Sequence, residues 1–129
     1  MIALDTNVLL RYLIQDDAVQ AAAATSFLEG KLSTTTPGFI SLVVICEIVW
    51  ALRKTYDQPR ATIAQSLDVL IKAPQFVVED IEIVELAISA DGGDIADAII
   101  HFVGAKQGCS KSVTFDKKFA RLSGVELLQ

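Results

Sequence analysis

The 129-residue chain is poor in several things at once: two cysteines, one histidine, three prolines, and eleven basic residues against sixteen acidic ones. Cys46 and Cys109 are too few for a disulfide scaffold and lack zinc-ligand spacing, so both read as reduced core residues. With a single histidine and no cysteine cluster, a metal ion would have to be held by oxygen atoms. No apolar run reaches the roughly eighteen residues of a membrane span. The N-terminal stretch is interrupted by Asp5 and has no small-residue cleavage site, so it does not read as a signal peptide. A cytoplasmic protein with no membrane partner is the expectation. The formal charge of −5 argues against a generally basic surface for phosphate backbones. A polyanionic substrate would have to be held locally, by metal ions and a few placed cations. Repeats, low-complexity tracts and linkers are absent as well.

What the chain does have is apolar residues, 52% of the total, ample for one packed core and one domain over residues 1–129. Short apolar runs of strand length occur at Ile2-Ala3-Leu4, Gly38-Phe39-Ile40, Phe76-Val77-Val78, Ser112-Val113-Thr114-Phe115 and Val125-Glu126-Leu127-Leu128. Helical patterns separate them, at about 6 to 15, 17 to 30, 42 to 56, 60 to 72, 80 to 90, 95 to 107 and 117 to 122. This alternation predicts an α/β domain with a mainly parallel sheet. Pro59 opens one helix and Pro74 follows its end, while Asp68 and Lys72 form an i,i+4 pair on it. Gly30 closes the Ala-rich helix, and Gly92-Gly93 precedes a capping-box pattern at Asp94-Ile95-Ala96-Asp97.

Four acids adjoin apolar runs. Asp5 follows the first strand, Asp116 follows the fourth, Asp97 lies within Ile95-Ala96-Asp97-Ala98-Ile99-Ile100, and Glu47 lies inside the most apolar stretch, from Ser41 to Leu52. An ionised carboxylate among aliphatic side chains costs several kcal/mol unless paired, protonated or metal-bound, so Glu47 is expected to be compensated. Each of the others has a plain structural reading beside the functional one. Asp5 or Thr6 can cap the first helix, Asp97 can complete its capping box, and Asp116 can cap the segment that starts at Lys117. Glu47 has no capping role in mid-helix; its structural alternatives are an ion pair with Arg53 or Arg11, or an extended side chain reaching water.

The functional reading is a shared cation site. In a parallel α/β sheet the carboxyl ends of the strands, where Asp5 and Asp116 fall, border the crevice that binds ligands. Oxygen donors select a hard cation, Mg²⁺ or Mn²⁺, over zinc. Such a site suits phosphodiester hydrolysis by an activated water. The cations near these acids are Arg11, Lys117, Lys118 and Arg121, each either a phosphate contact or a solvated charge.

At these residues the chain resembles the PIN-domain ribonucleases, specifically the VapC toxins of toxin–antitoxin pairs. The likeness lies in Asp5-Thr6-Asn7-Val8-Leu9-Leu10-Arg11-Tyr12-Leu13, then Glu47-Ile48-Val49-Trp50-Ala51-Leu52, then Asp94-Ile95-Ala96-Asp97-Ala98-Ile99-Ile100, and last Thr114-Phe115-Asp116-Lys117-Lys118-Phe119. It implies a three-layer fold with strand order 3-2-1-4-5 flanked by helices. It also implies metal-dependent endoribonuclease activity with Mg²⁺ or Mn²⁺ as cofactor, RNA as substrate, a homodimer, and a cognate antitoxin whose C-terminal segment covers an acidic groove. By that likeness Asp5, Glu47, Asp97 and Asp116 form the catalytic quartet. Asp5, Asp97 and Asp116 are the metal ligands, and Thr6, Asn7, Arg11 and Thr114 are supporting or substrate-facing positions. Asp94 reads first as a cap, and His101, four residues after Asp97, reads as a histidine bonded to a backbone carbonyl or to solvent rather than as a ligand.

Two rival functions stand beside this one. The first is a PIN scaffold without catalysis, acting only through a protein partner. The second is a phosphotransfer enzyme or receiver domain with Asp5 as nucleophile; the aspartyl-phosphate phosphatases open similarly, but their motif wants a second Asp where this chain has Asn7. The missing general acid counts against that rival.

Overall fold

The computed structural model describes residues 1–129, which fold as two compact units, Met1–Glu79 and Asp80–Gln129. The first contains β1 (Ile2–Ala3), α1 (Thr6–Leu13), α2 (Ala18–Gly30), β2 (Gly38–Ile40), α3 (Leu42–Lys54), α4 (Arg60–Lys72) and β3 (Phe76–Val78). Its three strands pair in parallel in the order β1-β2-β3, with Ile2 opposite Gly38 and Gly38 opposite Phe76. Parallel neighbours require crossover connections; α1 and α2 supply the first, α3 and α4 the second. Within the unit α1 packs on α2 and α3, α3 on α4, and α4 on β3. Leu9, Leu28, Ile40, Ile45, Ile48, Leu52, Leu67 and Leu70 are fully buried.

The second unit contains α5 (Ile81–Ser89), α6 (Ile95–Lys106), β4 (Ser112–Thr114), a 3₁₀ turn at Phe119–Arg121 and β5 (Val125–Leu127). β4 and β5 pair in parallel, Ser112 opposite Val125, and α5 packs along α6. Val84, Ala87, Ile95, Ala96, Ala98 and Ile99 are buried. The expected strand order is thus present as its parts, 3-2-1 and 4-5, in two hydrogen-bonded sheets, and all strands are parallel and flanked by helices.

Local chemistry explains most boundaries. Asp17, Ser41, Asp80 and Asp94 each accept a backbone N–H three residues on, from Gln20, Val44, Ile83 and Asp97, as N-cap side chains do. Two expectations fail. The helix expected over 117 to 122 is only a 3₁₀ turn, because the backbone is extended again at Leu122 and so short a segment cannot repay helix nucleation. Cys109, expected in the core, is exposed, and Cys46 is half-buried; Cys109 follows Gly108, whose φ of +94° turns the chain out of α6.

Candidate active site

In the first unit Asp5 stands just beyond β1 and occupies the N-cap position of α1, yet its side chain makes no capping hydrogen bond. The cap reading of Asp5 therefore fails, and its exposed carboxylate is left for other use. The next residue, Thr6, is 8% exposed and donates its hydroxyl to Glu47 Oε1 at 2.9 Å. That bond ties the first turn of α1 to the middle of α3.

Glu47 itself corrects the sequence argument. It is exposed, not held among aliphatic groups. The stretch from Leu42 to Leu52 is apolar on nearly every side, but a 3.6-residue period turns Ile45, Ile48, Val49 and Leu52 inward and Val43, Glu47 and Trp50 outward. Compensation for a buried charge is therefore not needed; the partner of Glu47 is a hydroxyl. Arg11, expected as a substrate cation, is already engaged: Nε donates to Gln20 Oε1 and Nη1 to Asp16 Oδ1, both at 2.8 Å. Asn7 is exposed on the first turn of α1.

In the second unit Asp94 and Asp97 form a complete capping box. Asp97 N–H donates to Asp94 Oδ1 at 2.7 Å and Asp94 N–H to Asp97 Oδ2 at 3.2 Å. The structural reading of Asp97 is thus correct, but it accounts for one carboxylate oxygen only. Burial pushes the Asp97 carboxyl above the usual range; the hydrogen bond from the Asp94 backbone pulls the other way, and the charges of Asp94 and Asp116 push it further up. These three acids share one field. Asp116, at the end of β4, takes Lys118 N–H at 2.8 Å and Phe119 N–H at 3.2 Å on Oδ1, so it also caps its turn. Its own N–H donates to Thr114 Oγ1 at 3.0 Å, which makes Thr114 a positioning residue for it. Lys117, Lys118 and Arg121 are exposed.

Gly93 was legible in the sequence only as helix punctuation, but it shapes this corner. Its φ is +69°, and a Cβ there would lie 2.9 Å from Asp97 Oδ2 and 3.1 Å from Phe119 Cα. No larger residue leaves Asp97 where it is. His101 lies elsewhere in function: it is buried, its Nδ1 is 2.7 Å from Ser112 Oγ, and its ring meets Phe102 edge-on. It joins α6 to β4 through a side-chain hydroxyl, where a backbone carbonyl or solvent had been expected.

A PIN domain is matched over residues 2–125. The chain belongs to the PIN domain family. Comparison with curated proteins gives no match. PIN domains are generally metal-dependent nucleases, so this PIN chain is read as a nuclease with RNA as the substrate suggested by the family. In the second unit the donors fit a divalent ion in chemistry, being all oxygen and including the Asp97 carboxyl, raised above its usual range by burial and by the charges of Asp94 and Asp116. It is not a ready-made cage, since no three His, Cys, Asp or Glu side chains are gathered tightly enough to enclose an ion. Mg²⁺ does not need one, because it retains waters and uses one or two carboxylates. No helix is long and apolar enough to cross a membrane.

Proposed function

We propose that this PIN chain is a metal-dependent endoribonuclease of the VapC type, the toxin of a toxin–antitoxin pair, working as one domain over residues 1–129 in the cytoplasm. The observation that carries the reading is the like-charge group of Asp94, Asp97 and Asp116, in which the Asp97 carboxyl is held above its usual range. In a family of metal-dependent nucleases the neighbouring acids Asp97 and Asp116 are best accounted for as cation ligands, with Asp94 as the cap beside them. The family match runs through both units, which supports giving Asp5 and Glu47 of the first the same reaction as Asp97 and Asp116 of the second.

Asp5, Asp97 and Asp116 are assigned as ligands of Mg²⁺ or Mn²⁺, and Glu47 as the fourth catalytic acid. The bound ion supplies an activated water and neutralises charge on the phosphodiester oxygens. The chain's own residues do the positioning. Thr6 fixes the Glu47 carboxylate by donating to it, Thr114 fixes the start of the Asp116 turn, and Asn7 offers an amide beside Asp5. Asp5, free of a capping bond, keeps both oxygens for ligation. A homodimer and an antitoxin that inserts a basic side chain among the acids complete the proposal. A guanidinium or ammonium group is the natural competitor for a metal-free carboxylate site.

The test is cleavage of RNA by the purified chain. Internal cuts that require Mg²⁺ or Mn²⁺ and cease with EDTA are expected, together with growth arrest on expression. Intact RNA under every metal condition would transfer the case to the rival reading, a PIN scaffold that acts only by binding a protein.

A further inference from the structure

The first unit contains a cavity of about 530 Å³ that opens beside Asp5, within the roughly 300–1,000 Å³ range of small-ligand pockets. Leu4, Val8 and Phe27 give it apolar walls, and Asn7, Arg11 and Gln20 give it polar ones. We propose that this cavity receives one unstacked base of a single-stranded RNA, the base next to the phosphodiester being cut. This deepens the endoribonuclease reading and rests on it.

Charge decides what enters. Arg11 is the only cation on the wall, and Asp16 already pairs with it, while Asp5 adds a negative charge at the rim. A phosphate gains little from a guanidinium so engaged, so the anionic part of a nucleotide stays outside, on the side of the cation that Asp5 is assigned to hold. A neutral, flat group with an apolar face and a polar edge fits instead, and a nucleobase is such a group. Its faces suit Val8 and Phe27. Its edge suits the amide of Asn7, which is exposed, and that of Gln20, whose Oε1 is turned toward Arg11 Nε at 2.8 Å. The guanidinium, held from two sides by Asp16 and Gln20, is a preset plane that loses little freedom when a base comes against it. An aliphatic side chain from a protein partner would fill the volume but make no use of the exposed amides of Asn7 and Gln20. A base in a duplex is stacked and paired and cannot enter, so the strand must be single.

The test uses Ala23→Trp, an exposed position on α2 that lines the cavity and would fill it from the open side. Binding of a single-stranded RNA hexamer is measured with Ca²⁺ present and strand integrity checked. The hexamer is used intact, with one abasic ribose at each position in turn, and annealed to its complement. For the unaltered protein, one abasic position and the annealed duplex should each weaken binding by roughly tenfold or more. Ala23→Trp should show the same loss on the intact strand and no further loss at that position. Phe27→Leu, which keeps the wall apolar but removes the ring, should show a partial loss at the same position and serves if the tryptophan variant does not fold.

Equal affinity of the filled and unfilled proteins for the intact strand, or identical abasic profiles, would overturn the base pocket. So would a filled variant that loses a protein partner while its RNA binding is untouched. Metal-dependent cleavage of RNA separates the two proposals. If Ala23→Trp cuts at the same sites and rates as the parent, the pocket is wrong and the nuclease stands. If the parent binds RNA with the expected abasic profile but never cuts, the pocket stands and the nuclease is wrong. If it neither binds nor cuts, both are wrong.

Discussion

At Asp97 one carboxylate both closes a capping box with Asp94 and lies in the field of Asp116. Asn at this position keeps an oxygen acceptor for the Asp94 N–H and removes the charge. Asp97→Asn is expected to lower RNA cleavage by about two orders of magnitude or more, with an unchanged or higher melting midpoint. The linkage sign follows from the raised carboxyl. A group whose folded-state pKa lies above its unfolded value favours the fold most when protonated. The contribution is fully present below the ordinary value of 3.8 and is lost as pH rises through the raised one. Acid-range denaturation should therefore show a pH dependence in the parent that is smaller in Asp97→Asn. Full cleavage by a clean preparation of that variant would remove Asp97 from the site. Gly93→Ala places a methyl group against Asp97 Oδ2 in a left-handed backbone conformation. A loss of about 1–2 kcal/mol in urea denaturation is expected, together with weaker cleavage.

Between elements, two polar contacts fasten helices to each other and respond to pH in opposite directions. Asp80 caps α5 through Ile83 N–H and takes the Lys106 ammonium at the far end of α6. The Lys106 hydrogen bond, helped by the Ile83 N–H, holds the Asp80 carboxyl below its usual range. Its contribution is present above the ordinary carboxyl pKa of 3.8 and is lost as pH falls through the depressed one. Asp80→Ala should cost about 1 kcal/mol from the cap. Lys106→Met, which breaks only the exposed ion pair, should cost less; equal losses would show that the pair, not the cap, dominates. Tyr12 on α1 donates to Glu29 on α2 at 2.6 Å, and that bond, with burial, pushes the phenol up to about 12. Here the stabilisation is present below the ordinary phenol pKa and is lost as pH rises toward 12. An ultraviolet titration should show a phenol transition near 12 that is absent in Tyr12→Phe.

For the whole molecule the expectation is stabilisation by the cation. A ligand bound only to the native state adds RT ln(1 + [L]/Kd), about 2.7 kcal/mol at a hundredfold excess over Kd. The like-charge field around Asp97 gives the ion something to relieve. Thermal unfolding should shift upward with Mn²⁺ and return with EDTA. Superimposable transitions in the two conditions would count against a cation site in this PIN chain, whatever its cleavage assays gave.

Much of the local structure was legible because it is settled within a few residues. The five strands and six of the seven helices fall where apolar period and punctuation place them, and the caps at Asp94 and Asp116 follow from residue type and spacing. The sequence also singled out Asp5, Glu47, Asp97 and Asp116, by their positions at strand ends and within apolar runs. It misjudged how these acids are treated. Glu47 looked buried because a run of aliphatic residues hides which side faces the core, and only the packing of α3 against α1 and α4 turns it to solvent and to Thr6. Arg11 looked free because Gln20, nine residues on, meets it only once α2 folds back on α1. The hydroxyl that holds His101 and the oxygen that crowds Gly93 are likewise matters of approach in space. Local propensity determined where the elements begin and end. Tertiary packing alone decided which side chains meet, because contacts between elements depend on relative placement that no short window of sequence encodes.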